Sequence, residues 1–229
     1  MGTRTFLSLG EQIYQTLKER IVNNQYMPGT VLQIDKLAEE LGVSSTPIRE
    51  TLFKLDGMGL VTMIRNKGAV VSEIDERMVR DIWQFRTLLE TFTAKEALLH
   101  VDSSNLQNLK DKISYLIDYP NDFELYKETD VWLHNMLNCS NNSLVKDALK
   151  NLNDHSRRIR YFAESTPFRS EIVVQVSREH LRILEALSAQ DAESVLIAVK
   201  THLENALERT MKALVEIRQT IETEKNDIK

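Results

Sequence analysis

The apolar positions near the start of the chain predict three short helices. One face of the first helix carries apolar residues spaced four apart, namely Leu9, Ile13, Leu17 and Ile21. Pro28-Gly29 breaks this helix, and Gly42 ends a second one. The third helix starts at Ser45 or Thr46, with Pro47 in its first turn, where the missing N–H costs little. We therefore expect the second and third helices to be joined by a tight turn at Gly42.

Two short apolar runs after the third helix predict a β-hairpin, and the pattern then changes for the rest of the chain. The strands are expected over 61–64 and 69–71, with Arg65 and Lys67 at the hairpin tip. Beyond the hairpin the apolar residues follow the period of long helices, and no glycine follows Gly68. These helices are predicted near 75–99, 103–118, 121–139, 142–163, 169–189 and 191–224. Because their connections are short, we expect an antiparallel bundle.

The predicted fold class is mainly α, with an N-terminal winged helix-turn-helix followed by an all-helical antiparallel bundle. We place the two domains at 1–72 and 73–229. No apolar run approaches the roughly 20 residues that a membrane span needs. Cys139 is the one cysteine, so an internal disulfide framework is excluded. We therefore expect a soluble cytoplasmic protein with no membrane partner.

The first domain offers the side chains that DNA recognition needs, although its charge is nearly balanced and composition alone does not indicate nucleic acid. A recognition helix presents small polar groups and a cation at its N-terminal end to the major groove. The third helix has these residues at its start: Ser44, Ser45, Thr46 and Arg49. The hairpin tip can reach the neighbouring backbone or minor groove with Arg65, Lys67 and Gly68. These residues are our predicted DNA contacts.

The order, spacing and identity of several residues over about 10–72 are characteristic. They are Pro28-Gly29, Leu37-Ala38, Leu41-Gly42-Val43-Ser44, Thr46-Pro47-Ile48-Arg49-Glu50, Leu55, Gly59-Leu60-Val61 and Gly68. With them the segment resembles the GntR family of bacterial transcription regulators. The resemblance implies operator binding as a homodimer, with Arg49 as a retained contact. Ser45 stands where family members usually have arginine, and Asp35 where some have a basic residue, so we expect an altered operator preference.

Histidines in the predicted bundle suggest a metal site. Asp130 and His134 are four residues apart on one predicted helix and therefore share a face, one turn apart. His180 and His202 lie in the middle of two other predicted helices. If the three helices converge, one aspartate and three histidines form a site in the bundle core that suits Zn²⁺, Ni²⁺, Fe²⁺ or Mn²⁺. Taken singly, each histidine is more often a packed, hydrogen-bonded residue than a ligand.

The same residues carry a second resemblance, over about 78–210. Asp-x-x-x-His, a Glu-His pair inside a helix and a histidine in the last long helix are similar to the ligand pattern of the FadR-type subgroup, whose all-helical effector domain is called FCD. The run from Arg86 to Glu90 and Asn141-Asn142 also fit that domain. The resemblance implies a divalent metal at Asp130, His134, His180 and His202, with Zn²⁺ or Ni²⁺ as the first choices.

The predicted function is that of a ligand-responsive DNA-binding regulator that senses a small organic acid at this metal. Arg86 and Glu90 are four apart, so Arg86 either pairs with Glu90 or faces the cavity and grips an effector carboxylate. One alternative is a purely structural metal with no acid effector. Another is a metal-dependent enzyme acting on small carboxylates. The sequence has no Gly-x-Ser-x-Gly, phosphate loop or dinucleotide fingerprint, so we expect no enzyme activity.

Overall fold

The computed structural model describes residues 7–65, 67–163 and 170–227. The chain divides into two compact units. The first consists of Met1–Asp75 together with Asn153–Phe162, and the second of Glu76–Leu152 and Ala163–Lys229. Among the described residues, no helix is both long enough and apolar enough to span a bilayer.

The first unit contains the predicted three helices and hairpin. Its elements are α1 (Leu9–Val22), β1 (Val31–Gln33), α2 (Ile34–Leu41), α3 (Ser45–Gly57), β2 (Val61–Ile64) and β3 (Gly68–Val71). Ser8 caps α1 by accepting a hydrogen bond from the Glu11 N–H at 3.3 Å. Gly42 ends α2 in the left-handed conformation, with a φ of 66°. Packing of apolar side chains from all three helices forms one core, which includes Leu17, Ile48 and Leu52.

A three-stranded antiparallel sheet forms the wing, in the order β1-β3-β2. The hairpin of β2 and β3 is as predicted, but β1 is an element that the sequence pattern did not reveal. β1 has only three residues, and Leu32 is the buried one. An alternation of apolar and polar positions cannot be recognised over so short a segment. β1 pairs with β3 through Leu32 opposite Ala69 and Gln33 opposite Gly68. The turn after α1 thus leads into a strand that covers one edge of the hairpin.

We expect Gly68→Ala to destabilise the wing. Gly68 has a φ of +122°, which L side chains rarely adopt, and a Cβ there would collide with the Leu32 carbonyl oxygen. The cost should be about 1–3 kcal/mol, as for other overpacked sites. It would be measured as a lower midpoint in urea unfolding of the whole chain. Gly57→Ala is the matched control, because a Cβ at Gly57 meets nothing within 4 Å. Equal midpoints for the two variants would contradict this assignment.

The second unit is helical within its described residues. Its elements are α4 (Glu76–Ala97), α5 (Ser103–Asp118), α6 (Phe123–Leu137), α7 (Ser143–Ala163), α8 (Ser170–Ser188) and α9 (Ala192–Asp227), with the second half of α7 belonging to the first unit. Asp102 and Asp122 cap α5 and α6 by accepting hydrogen bonds from backbone N–H groups. α9 packs along both α4 and α8, and α8 packs along α5. The predicted fold class is therefore confirmed: a winged helix-turn-helix followed by a helical bundle.

Residues 153–162 of α7 hold polar partners for the rest of the first unit. The Lys18 Nζ donates to Asp154 Oδ2 at 3.0 Å, and both side chains are largely buried. The guanidinium of Arg157 donates to both carboxylate oxygens of Glu19, at 2.9 and 3.1 Å. These bonds join positions more than 130 residues apart in the chain, so the compact first unit is not a single continuous segment.

Candidate metal centre and nucleic-acid interface

Three histidines from three helices of the second unit meet in its interior. His134 is on α6, His180 on α8 and His202 on α9, and one ligand nitrogen from each lies within 4.8 Å of the other two. Their ring centroids are 4.8 Å apart for His180 and His202, and 5.7 and 6.2 Å for the pairs with His134. The helices thus converge as the metal-site prediction required.

Asp130 lies beside two of these imidazoles. Its Oδ1 is 3.5 Å from His134 Nε2 and 3.9 Å from His180 Nε2. Asp130 precedes His134 by one helical turn, so the i, i+4 spacing places both on the inner face of α6. The structure therefore brings together all four residues that the sequence analysis selected, three nitrogen donors and one oxygen donor.

Two nitrogens at this centre have no hydrogen-bond partner among the described residues: His180 Nε2 and His134 Nδ1. Polar atoms buried in proteins normally have a protein or solvent partner. Here both atoms belong to the converging imidazoles, and His180 Nε2 is the atom nearest Asp130 Oδ1 on that ring. The centre therefore has unused capacity to bind a further group.

The three imidazoles differ in pKa because their charged neighbours differ. Burial would lower the pKa of His134, but the carboxylates of Asp130 and Glu90 together raise it to about 9. Burial lowers the pKa of His180 well below its ordinary value, and the neighbouring His202 lowers it further. Burial also lowers the pKa of His202. Burial therefore favours the neutral imidazole at His180 and His202, the form that binds metals.

The Arg86 guanidinium makes the intrahelical pair that was one of its two predicted roles. Its Nε donates to Glu90 Oε1 at 2.6 Å, and both side chains are buried. The second carboxylate oxygen, Glu90 Oε2, is 3.6 Å from His134 Nδ1. Burial would raise the pKa of Glu90, but Arg86 and His134 hold it far below its ordinary value. The sequence analysis treated Glu90 only as a partner of Arg86 and missed its approach to His134.

Glu179 is a further residue of the centre that the sequence analysis did not select. His202 Nδ1 lies 2.8 Å from Glu179 Oε2. The same carboxylate accepts hydrogen bonds from Asn205 Nδ2 at 2.8 Å and from Arg209 at 2.7 and 3.0 Å. Burial would raise the pKa of Glu179, but His202 and Arg209 lower it to about 2. The sequence held one signal for this contact: Asn205 and Arg209 follow His202 by three and seven residues, which places all three side chains on one face of a helix.

An open groove of about 350 Å³ between α8 and α9 reaches the edge of this centre. Glu179 and His202 form its inner wall, and Arg182 and Thr201 line its exposed sides. A small molecule in this groove would therefore meet His202, the Glu179 carboxylate and the cationic side chain of Arg182.

The predicted DNA contacts lie in the first unit. Ser44 is the N-cap of α3, and its side chain makes no capping hydrogen bond to the described residues. Ser45, Thr46 and Arg49 follow on the first turns of α3, and all are exposed. The start of this helix thus presents hydroxyls, backbone N–H groups and one cation, which together suit phosphate oxygens and base edges.

The wing carries the other residues that were predicted to contact DNA, with one difference in their exposure. Arg65 and Lys67 are exposed at the hairpin tip. Gly68, in contrast, is buried as the first residue of β3, where it pairs with both Gln33 and Ile64. Because Gly68 has no side chain, the backbone of β3 can lie close to the Leu32 carbonyl of β1.

Comparison with known protein families assigns each part of the chain. The model for "Bacterial regulatory proteins, gntR family" matches residues 9–71, and that for "FCD domain" matches residues 81–205. The HTH-type transcriptional repressor RspR of Escherichia coli (strain K12) is 27% identical over 209 residues, covering 87% of this chain and 88% of RspR.

Solved structures show the same fold. Escherichia coli McbR/YncC superposes with a TM-score of 0.72 at 20% identity, covering 90% of this chain and 99% of McbR. The Zn²⁺-bound FCD domain of the regulator TM0439 has a TM-score of 0.52 at 24% identity, covering 62% of this chain and 98% of that domain. Both matched families are families of transcription regulators and not of enzymes. The chain thus belongs to the GntR family of bacterial transcription regulators, in the subgroup that carries an FCD domain.

Proposed function

We propose that this regulator senses a small organic acid at a divalent metal centre held by Asp130, His134, His180 and His202. The observation that carries the proposal is the meeting of three imidazoles from α6, α8 and α9, with ligand atoms within 4.8 Å of one another. A chance cluster of three histidines in a buried core is costly, because each buried ring nitrogen needs a partner. A shared cation satisfies all three at once.

The donor set favours a transition metal. Imidazole nitrogens with one carboxylate oxygen suit Zn²⁺ or Ni²⁺, and also Fe²⁺ or Mn²⁺. The unpartnered nitrogen of His180 and the adjacent Asp130 oxygen support this fit. The structurally similar FCD domain of TM0439, which is described with Zn²⁺ bound, supports zinc as the first choice. Once bound, the ion would provide a Lewis-acid position for a carboxylate oxygen of the effector.

Arg86 is the residue that we propose for the other end of the effector carboxylate. Its Nε is committed to Glu90, but its two Nη groups have no hydrogen bond to the described residues. An arginine already held by one carboxylate can present its remaining donors in a fixed direction. We further infer that the acid reaches the centre along the groove that Arg182 lines.

Operator recognition is assigned to the first unit. Ser44, Ser45, Thr46 and Arg49 would enter the major groove, while Arg65 and Lys67 would contact the neighbouring backbone or minor groove. Gly68 would contribute by shaping the wing. We propose a cytoplasmic homodimer that places one winged domain (1–72) on each half-site of a two-fold operator, with a sensing domain (73–229) linked through Ser72–Asp75.

Mutation of two cations should separate base recognition from phosphate binding. We expect Arg49→Ala to weaken binding to the protein's own promoter DNA by about 1–3 kcal/mol and to reduce discrimination against unrelated DNA. Lys67→Ala should weaken binding to both DNAs alike and lower the salt slope by about 1. Fluorescence anisotropy across a salt series measures both effects. Lys112→Ala, an exchange on α5, is the control. An unchanged salt slope for Lys67→Ala would contradict the wing contact.

The sensing proposal is tested by coupling between the two ligands. With Zn²⁺ present, the matching acid from a panel of small carboxylates should change the affinity for promoter DNA by a coupling energy of about 1–3 kcal/mol, or about 5- to 150-fold. The same titration after chelation of the metal should show no response. If no acid in the panel alters DNA affinity, the metal centre is not a sensor of small carboxylates.

A further inference from the structure

The ring of His202 is fixed by a hydrogen bond between one of its nitrogens and a buried carboxylate. Its Nδ1 lies 2.8 Å from Glu179 Oε2. Because Glu179 also accepts hydrogen bonds from Asn205 and Arg209, its carboxylate is ionised and can act only as an acceptor. His202 must therefore carry its proton on Nδ1 and donate it to Glu179. That assignment leaves the lone pair on Nε2, the atom available to a metal.

Glu179 is itself held in place by two residues of the same helix as His202. Arg209 forms a two-point contact, with Nη1 on Oε1 at 2.7 Å and Nη2 on Oε2 at 3.0 Å. Asn205 adds a third bond to Oε1 at 2.8 Å. Three donor atoms of Asn205 and Arg209, two residues of α9, therefore fix the Glu179 carboxylate on α8. This carboxylate in turn fixes the imidazole of His202.

The carboxylate of Glu90 is likewise held by an arginine and lies next to a histidine, His134, but it does not form a hydrogen bond with that histidine. Glu90 is held by Arg86, yet its free oxygen is 3.6 Å from His134 Nδ1, beyond hydrogen-bond range. Of the two arginine-backed carboxylates, only Glu179 is hydrogen-bonded to its histidine. This contrast singles out His202 as the ligand whose tautomer and orientation are set in advance.

We propose that Glu179 is a positioning residue for the metal centre, which orients His202 for coordination through Nε2, and that Arg209 and Asn205 hold Glu179 in that role. The inference rests on the proposed metal centre but adds residues outside its ligand set. Outer carboxylates that accept from a ligand histidine fix the ring and strengthen it as a donor, and their loss typically costs about 10- to 100-fold in metal affinity.

The test compares Zn²⁺ affinity and His202 tautomer in the full-length protein. We expect Glu179→Ala to weaken Zn²⁺ binding by about 10- to 100-fold in competition with a chromophoric chelator. Glu179→Gln should lose less, because its amide oxygen still accepts from Nδ1. Arg209→Lys should fall between wild type and Glu179→Ala, because lysine keeps the charge without the two-point geometry. If Glu179→Ala does not fold, Glu179→Gln and Arg209→Lys still test the proposal.

Nitrogen-15 NMR of the imidazoles, recorded before Zn²⁺ is added, gives a readout that a merely structural role would not move. His202 should be protonated at Nδ1 in the wild type and lose this preference in Glu179→Ala. Glu185→Gln, an exposed exchange on α8, should change neither measurement. Zn²⁺ affinity within about twofold of wild type in all three variants would overturn the inference while leaving the metal centre intact. Weak Zn²⁺ binding by the wild type would instead defeat the proposed metal centre, and the tautomer would still decide the role of Glu179.

Discussion

A variant with alanine in place of both His134 and His202 should lose tight Zn²⁺ binding. Apparent binding energies at four-ligand zinc sites reach about 10–16 kcal/mol, so removing two ligands should cost at least about 10³-fold in affinity. Metal content after purification without chelator, and competition with a chromophoric chelator, would measure the loss. A ligand that binds only the folded state also raises the unfolding temperature. Added Zn²⁺ should therefore raise the melting temperature of the wild type but not that of the variant.

The matched control for this variant is His100→Ala, because His100 is exposed and lies outside the cluster. It should bind Zn²⁺ as the wild type does. The double variant also separates two roles for the ion. A folded protein that binds promoter DNA but no longer responds to acid supports sensing. A protein that no longer folds supports a purely structural metal, whereas a folded protein that keeps its response to acid contradicts sensing at this centre. Wild-type Zn²⁺ affinity in the double variant would exclude these histidines as ligands.

Asp154→Ala should destabilise the first unit by about 3–5 kcal/mol, the cost of breaking a buried ion pair by removing one partner. The substitution leaves the ammonium of Lys18 buried, with side-chain exposures of 6% for Lys18 and 11% for Asp154 in the intact pair. The neighbouring Arg157 cannot replace the lost negative charge, because it is itself cationic and pairs with Glu19. Urea unfolding followed by circular dichroism would show the loss as an early transition.

Two further variants test whether the buried charge of Lys18 causes the loss of stability in Asp154→Ala. Lys18→Met combined with Asp154→Leu should recover most of the lost stability, because replacing a whole buried pair with apolar groups is often neutral. Glu128→Ala breaks an ion pair with Lys112 in which both side chains are partly exposed, and it should cost less than about 1 kcal/mol. If Asp154→Ala is no worse than Glu128→Ala, the Lys18 contact contributes nothing to folding.

The sequence predicted most helices because their signals are local. Gly42 ends α2 where the pattern placed it, since a left-handed residue is needed there and glycine adopts it freely. Helix starts were predicted to within two residues: α5 begins at residue 103 as expected, whereas α6 begins at Phe123 and not at 121. β1 could not be predicted, because its three residues gain stability only by pairing with β3, more than 30 positions later.

The cluster of Asp130 with three histidines was predictable as a residue set, whereas its supporting contacts were not. Asp130 and His134 share a helix, so their spacing alone placed them on one face. Combining them with His180 and His202 required either the folded structure or the family resemblance. Glu179 stands next to a proposed ligand in sequence, yet its role depends on α9 packing along α8. Such a role has no signature in one segment, because its donors and acceptor come from different helices.

The contribution of residues 153–162 to the first unit bears on how the DNA-binding part can be reused. A hybrid regulator made by grafting residues 1–72 onto an unrelated sensor would leave Lys18 without its carboxylate and the Met58 carbonyl without the His155 ring nitrogen that lies 2.8 Å from it. Swapping designs that follow the linear boundary should therefore give poorly folded chimeras. Designs that also carry over this stretch of α7, or replace Lys18 with an apolar residue, should perform better.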